Sequence, residues 1–102
     1  MSADDIWKIN LRGYVIHTYR GTLTSQPGIL KDSVEGRVWK KADDAGLLFF
    51  DRDHTHFRVV LNYLRDGKAL LPKDQEKLAE IREEALFYKI DGLIWACNSA
   101  IR

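Results

Sequence analysis

The sequence is poor in several features that define whole classes of protein. Its 102 residues include a single cysteine, Cys97, so no disulfide can form within the chain. No apolar run approaches the roughly 20 residues that span a bilayer. The acidic N-terminal segment has no apolar core of the kind found in signal peptides. These shortages predict a cytoplasmic or nuclear protein that does not insert this domain into a membrane.

An excess of charge of one sign is also missing. The chain has 16 basic and 15 acidic residues, for a formal net charge of +1. Nucleic acid is therefore not an expected partner. Hydrophobic residues make up 45% and charged residues 30%, which is typical of a globular domain. The length suits one hydrophobic core, so a single domain over 1–102 is expected.

The N-terminal part of the chain has the pattern of a β-hairpin. Apolar and polar residues alternate over 7–11, which is the period of a half-buried strand. The segment 14–19 is rich in β-branched and aromatic residues. Arg12-Gly13 joins the two segments as a two-residue turn. Arginine is a poor first residue for a type I′ turn, so the sequence leaves the turn type open.

The middle of the chain is interrupted by turns. The two prolines, Pro27 and Pro72, both fall between patterned segments. A helical turn is predicted over 22–25, and a second short helix near Pro27. The polar stretch 32–46 is interpreted as a loop. The apolar run 47–50 predicts a short buried strand.

The clearest pattern predicts a helix that Asp53 would cap with its carboxylate. Gly67 supplies the C-terminal stop. Its apolar residues recur on one helical face: Phe57, Val60, Leu61 and Leu64.

Two further helices are predicted after this one. The first covers about 74–88, and Asp91 is expected to cap the second. The core face of the first consists of Leu78, Ile81, Ala85 and Tyr88. Segregated strands and helices predict an α+β domain.

Candidate catalytic and metal-binding residues are few. Cys97 lies on the expected buried stripe of the last helix, where a lone thiol is usually a core residue. His54 and His56 are two positions apart and do not face each other on a helix. The acidic pairs at 43–44 and 83–84 are expected to be solvated. The sequence therefore predicts a protein that is not an enzyme, with no metal and no cofactor.

Asp51 and Arg52 have no role that local structure explains. They follow a buried strand and precede a core-facing helix, which allows two interpretations. One is a solvent-exposed ion pair of small energetic value. The other is a polar interface between neighbouring copies. Trp39 and Trp95, which are expected away from the core, raise the odds of association because tryptophan is enriched at interfaces.

The segments 49–57 and 60–67 resemble the potassium-channel-tetramerisation (KCTD) branch of the BTB/POZ superfamily. That branch usually has an apolar pair, Asp-Arg-Asp, a phenylalanine, then Leu-Asn-Tyr/Phe-Leu-Arg and a glycine. Leu71-Pro72 and the segment 84–94 match the pattern that follows. The resemblance covers essentially the whole chain, and it is specific over 49–97.

The resemblance implies a BTB/POZ fold, with a small three-stranded sheet and a cluster of about five helices. It implies a homo-tetramer or homo-pentamer, and an adaptor for a cullin-RING ubiquitin ligase. The alternative is the cytoplasmic tetramerisation domain of a voltage-gated potassium channel. The implied self-association interface consists of Arg12, Asp51, Arg52, Asp53 and His56. The implied cullin-facing surface consists of Ser33, Val34, Glu35, Tyr88 and Lys89.

The sequence departs from the family pattern at three places. The family usually has Val-Gly-Gly-Thr where this chain has the larger side chains of 11–14. Val34 lies in the segment where the family carries a phenylalanine tied to cullin docking, so this chain lacks an aromatic hot spot of binding there. Many channel domains bind zinc through one histidine and three cysteines, and a chain with Cys97 alone is expected to lack that site.

Overall fold

The computed structural model describes residues 4–36 and 47–102. Within these residues the chain forms three strands and five helices, which confirms the predicted α+β fold with its three-stranded sheet. The elements in chain order are β1 (Ile6–Leu11), β2 (Tyr14–Tyr19), α1 (Arg20–Leu23), α2 (Ile29–Val34), β3 (Leu48–Phe50), α3 (Phe57–Asp66), α4 (Gln75–Tyr88) and α5 (Asp91–Ala100). None of the helices in these two ranges has the length and apolar character needed to cross a membrane.

The turn between β1 and β2 adopts a backbone that the sequence left undecided. Arg12 and Gly13 both have positive φ angles, of 51° and 96°. That combination is the pattern of a type I′ turn, whose twist matches the twist of the two strands. The side chain of Asn10 accepts a hydrogen bond from the backbone N–H of Gly13 at 2.5 Å. This contact helps to hold Arg12 in a conformation that non-glycine residues seldom adopt.

The third strand joins the sheet on the opposite side of β1, in the order β2-β1-β3. It runs parallel to β1, with Ile9 opposite Leu48 and Leu11 opposite Phe50. The residues that follow two parallel strands emerge at the same edge of a sheet. This register therefore brings the β1–β2 turn next to the segment that follows β3.

The core face predicted for α3 is confirmed: Phe57, Val60, Leu61 and Leu64 are all buried. The helix ends at Gly67, whose φ of 72° is left-handed, as expected of a glycine stop. The predicted cap at Asp53 is wrong, because α3 begins only at Phe57. Asp53 instead accepts a hydrogen bond from the backbone N–H of Thr55 at 2.7 Å, which stabilises the turn before the helix.

Asp74 caps α4 by accepting a hydrogen bond from the Lys77 backbone N–H at 3.0 Å. The predicted buried face of α4 (Leu78, Ile81, Ala85 and Tyr88) is confirmed. Asp91 was expected to cap α5, but it is the first helical residue, and Ile90 occupies the cap position. The chain reverses through Lys89, whose φ is 55°, and this tight reversal moves the cap one residue earlier.

The predicted loop over 32–46 is wrong in its first part, because α2 continues to Val34. The apolar contacts of Leu30 and Val34 with the core extend that helix beyond the point where the polar composition suggested a loop. The predicted turn over 22–25 begins two residues earlier, as α1. Residues 37–46 lie outside the described part of the chain. The expectations for Trp39 and for the acidic pair 43–44 concern those residues.

Candidate self-association surface

The parallel register of β1 and β3 brings Arg12 and Asp51 into contact. Arg12 follows Leu11 and Asp51 follows Phe50, which are opposite each other in the sheet. The Arg12 Nε donates to Asp51 Oδ1 at 2.7 Å. The two side chains are 57% and 78% exposed, so this pair contributes less than about 1 kcal/mol to stability. We call this exposed ion pair at the edge of the sheet the charged corner.

Arg52 is held more firmly than Arg12. Two of its nitrogens donate to one carboxylate on α4. Nε donates to Glu84 Oε1 at 3.2 Å, and a terminal nitrogen donates to Glu84 Oε2. Its guanidinium also lies 4.6 Å from the centre of the Phe87 ring. The hydrogen bond from Arg52 to Glu84 raises the pKa of the arginine. Arg52 therefore fastens the segment after β3 to α4.

His54 and His56 point towards different elements. The His54 ring stacks on Tyr14 of β2, with ring centres 4.0 Å apart and planes only 1° from parallel. His56 Nε2 lies 2.7 Å from Glu80 Oε1 on α4. The two rings therefore do not form a pair of metal ligands. Across residues 4–36 and 47–102, no group of three or more histidine, cysteine or acidic side chains is placed to hold a metal ion.

Asp53 lies between these contacts and is exposed. Thr55 donates hydrogen bonds to Asp53 from its side chain and from its backbone. Both lower the pKa of the Asp53 carboxyl, and the side-chain bond has the larger effect. Asp53 and His56 also line one groove, together with carboxylates of α4. The structure thus collects the five residues predicted as a self-association interface (Arg12, Asp51, Arg52, Asp53 and His56) around the turn before α3. Their role between copies stays a prediction.

The sequence missed the partners that these residues have within their own chain. Glu84 was expected to be solvated, but its side chain is only 12% exposed because it is paired with Arg52. Glu80 and Glu84 lie one helical turn apart on α4, and this spacing of four was the available signal. Nothing in the local sequence indicated which cations would face them, since Arg52 and Glu84 are 32 positions apart.

Three of the residues predicted to face a cullin are buried, so the prediction of an exposed surface is wrong for them. Ser33 and Val34 are 1% and 4% exposed, because this face of α2 packs against the core. Tyr88 is fully buried. Its ring packs edge-on against Phe50 and Phe57. Glu35 is partly exposed and Lys89 is exposed.

Other side chains leave apolar surface in contact with solvent. Trp95 on α5 is 72% exposed, which agrees with its predicted position off the buried stripe. Leu86 and Phe87, near the end of α4, are 42% and 39% exposed. Cys97, by contrast, is buried, and desolvation raises the pKa of its thiol. Burial therefore disfavours a reactive thiolate at Cys97. The exposed side chains of Trp95, Leu86 and Phe87 are available for contacts with other proteins.

The described residues form a small α+β domain with exposed charges around the turn before α3. The chain matches the family model described as "BTB/POZ domain" over residues 7–97. The protein therefore belongs to the BTB/POZ domain family, which confirms the resemblance recognised in the sequence.

Curated relatives share this sequence along most of the chain. It is 35% identical over 95 residues to the "BTB/POZ domain-containing adapter for CUL3-mediated RhoA degradation protein 2" of Gallus gallus and to that of Homo sapiens. It is 34% identical to the protein 1 of the same name from Danio rerio. Each match covers 93% of this chain. The chain spans only 29–30% of the length of these relatives.

Arg52→Glu should destabilise the folded protomer by about 2 kcal/mol, because it replaces a half-buried ion pair with two facing carboxylates. Adding Glu84→Arg restores an opposite-charge pair and should recover most of that loss. Urea unfolding of the two variants measures both effects. Asp51→Ala is the matched control, since its exposed pair should change stability by less than about 1 kcal/mol. Equal losses for Arg52→Glu and Asp51→Ala would contradict this ranking.

Tyr88→Phe should reduce the fall in the free energy of unfolding that the protein shows at alkaline pH. Burial raises the pKa of the Tyr88 phenol, so the folded state keeps its proton at pH values where the unfolded state loses it. The stability is complete below about pH 10, the ordinary phenol pKa, and falls above it by up to about 1.4 kcal/mol per pH unit. Urea unfolding between pH 8 and 11 should show a shallower decline for Tyr88→Phe than for the exposed control Tyr19→Phe. Parallel declines would show that Tyr88 ionises freely.

Proposed function

We propose that this domain is a homo-oligomerising adaptor module that links a partner protein to a cullin-RING ubiquitin ligase. The carrying observation is the family match over 7–97, together with relatives whose names describe adapters for CUL3. Those names favour the adaptor over the alternative of a channel tetramerisation domain. The domain would act by binding rather than by catalysis, in the cytoplasm or nucleus.

The charged corner supports the self-association part of this proposal. Arg12, Asp51 and Asp53 are exposed charges carried by a turn and a loop that the sheet and α4 hold in place. A fixed arrangement of charges suits an interface, because little side-chain entropy is then lost on binding. Copies that meet at such a corner can also select one register by matching opposite charges.

The cullin part of the proposal rests on the end of α4. Lys89 is exposed in a left-handed conformation at the reversal into α5, and the exposed Leu86 lies one turn before it. A cation close to an apolar group at the end of a helix can anchor a partner protein. Ser33, Val34 and Tyr88 are buried, so they would support the end of α4 from within the core.

The self-association proposal predicts an oligomer at micromolar concentration. Light scattering of the purified chain should give a mass several times the 11.8 kDa of one copy. The expected closed ring would have four or five copies and a mass that does not grow on further concentration. A mass of one copy across the whole concentration range would overturn the self-association part.

The cullin proposal predicts measurable binding of the oligomer to purified CUL3, the cullin that the relatives' names contain. Calorimetry should show Lys89→Glu weakening that binding about tenfold, a typical loss at a contact of moderate importance. Lys68→Glu is the matched control, because Lys68 is also exposed and makes the same change of charge elsewhere. If an intact oligomer does not bind CUL3, the ligase role is wrong and the self-association role stands.

A further inference from the structure

Two grooves of opposite charge adjoin at the turn before α3. The basic groove has a volume of about 360 Å³ and lies between β2 and α3, with Arg58 and Arg65 among its walls. The acidic groove has a volume of about 340 Å³ and lies between the turn and α4, with Glu80, Glu83 and Glu84 among its walls. Thr55 lines both grooves.

The basic groove carries positive charge that no ion pair among the described residues neutralises. Arg58 is exposed and makes no ion pair within residues 4–36 and 47–102. Arg65 donates to the neutral side chain of Asn62 at 3.0 Å. Among the described residues, no aspartate or glutamate lines this groove. The stacked pair of His54 and Tyr14 forms the opposite wall.

The acidic groove carries the complementary excess. Arg52 neutralises Glu84, and His56 faces Glu80. Glu83 is exposed and has no ion pair among the described residues. Asp53 adds a further exposed carboxylate to the same groove. None of the described residues that line this groove is a lysine or an arginine.

We infer that the acidic groove of a second copy docks against the basic groove of the first, with Glu83 of one copy facing Arg58 of the other. This inference rests on the proposed self-association and names the surfaces that would carry it. A second copy is the occupant that the structure itself supplies, since the same chain carries two grooves of similar volume and opposite charge. The pairing brings together Arg58 and Glu83, two exposed charges that have no ion pair among the described residues.

Charge reversal at one position of each groove tests the contact. Arg58 and Glu83 have no ion-pair partner in the described part of the chain, so Arg58→Glu and Glu83→Arg should leave the protomer folded. Each variant alone should raise the dissociation constant of the assembly at least about tenfold, as close charge pairs do at interfaces. Sedimentation over a concentration series measures this constant. Lys68→Glu and Glu76→Arg make the same charge changes outside the grooves, and they should assemble like the unaltered chain.

Mixing the two reversed variants provides the sharper test. Arg58→Glu keeps an intact acidic groove and Glu83→Arg keeps an intact basic groove, so an equimolar mixture should assemble where each variant alone does not. The chain carrying both changes should also reassemble, because the opposite charges then face each other with their positions exchanged. Loss of assembly in both single variants without recovery in the chain that carries both changes would overturn the groove-to-groove contact.

The salt dependence of assembly offers a measurement that needs no variant. Exposed charge pairs are screened within a Debye length of about 10 Å at 0.1 M salt and about 3 Å at 1 M. Assembly of the unaltered chain should therefore weaken at least about tenfold between 0.05 and 1 M salt. An unaltered chain that stays monomeric would overturn the proposed self-association together with this contact. An oligomer that is insensitive to salt and to both reversals would overturn the contact alone.

Discussion

The parallel pairing of β1 with β3 is the constraint on which the charged corner depends. Phe50 lies opposite Leu11 in this pairing, so the chain leaves β3 beside the turn that joins β1 to β2. The contact of Arg12 with Asp51 and the stack of Tyr14 on His54 both follow from that exit point. A register shift of one residue would also turn the buried Leu48 and Phe50 towards the other face of the sheet. The core and the corner are therefore specified by the same backbone hydrogen bonds.

The second determinant is the attachment of the segment after β3 to α4. Phe50 packs edge-on against Tyr88, while Arg52 pairs with Glu84 and lies over Phe87. These contacts are better shielded from water than the exposed pair of Arg12 with Asp51, so they dominate the stability of the corner. This division leaves the more exposed charges available for contacts with another copy.

The residues that the family resemblance assigned to an interface first serve to hold their own chain together. Positions such as Arg58 and Glu83, which the resemblance did not single out, carry the exposed charge without an ion pair in the described residues. Interfaces gain selectivity from charges fixed in position before binding. A rigid corner flanked by grooves of opposite sign has that property.

The sequence by itself determined the elements whose signals are local. Periodicity predicted the core faces of α3 and α4, and Gly67 marked the end of α3, because burial recurs at the spacing of the helix. The resemblance over 49–97 also identified the family correctly. These features depend on neighbours a few positions apart, which a sequence displays directly.

Only the tertiary structure decided which distant side chains meet. Arg12 and Asp51 are 39 positions apart, and no local pattern indicates their contact. The same holds for the burial of Ser33 and Val34, which depends on how α2 packs onto the core. The start of α3 was misplaced because Asp53 could serve either a helix or the turn before it, and the packing of the chain after β3 selected the turn.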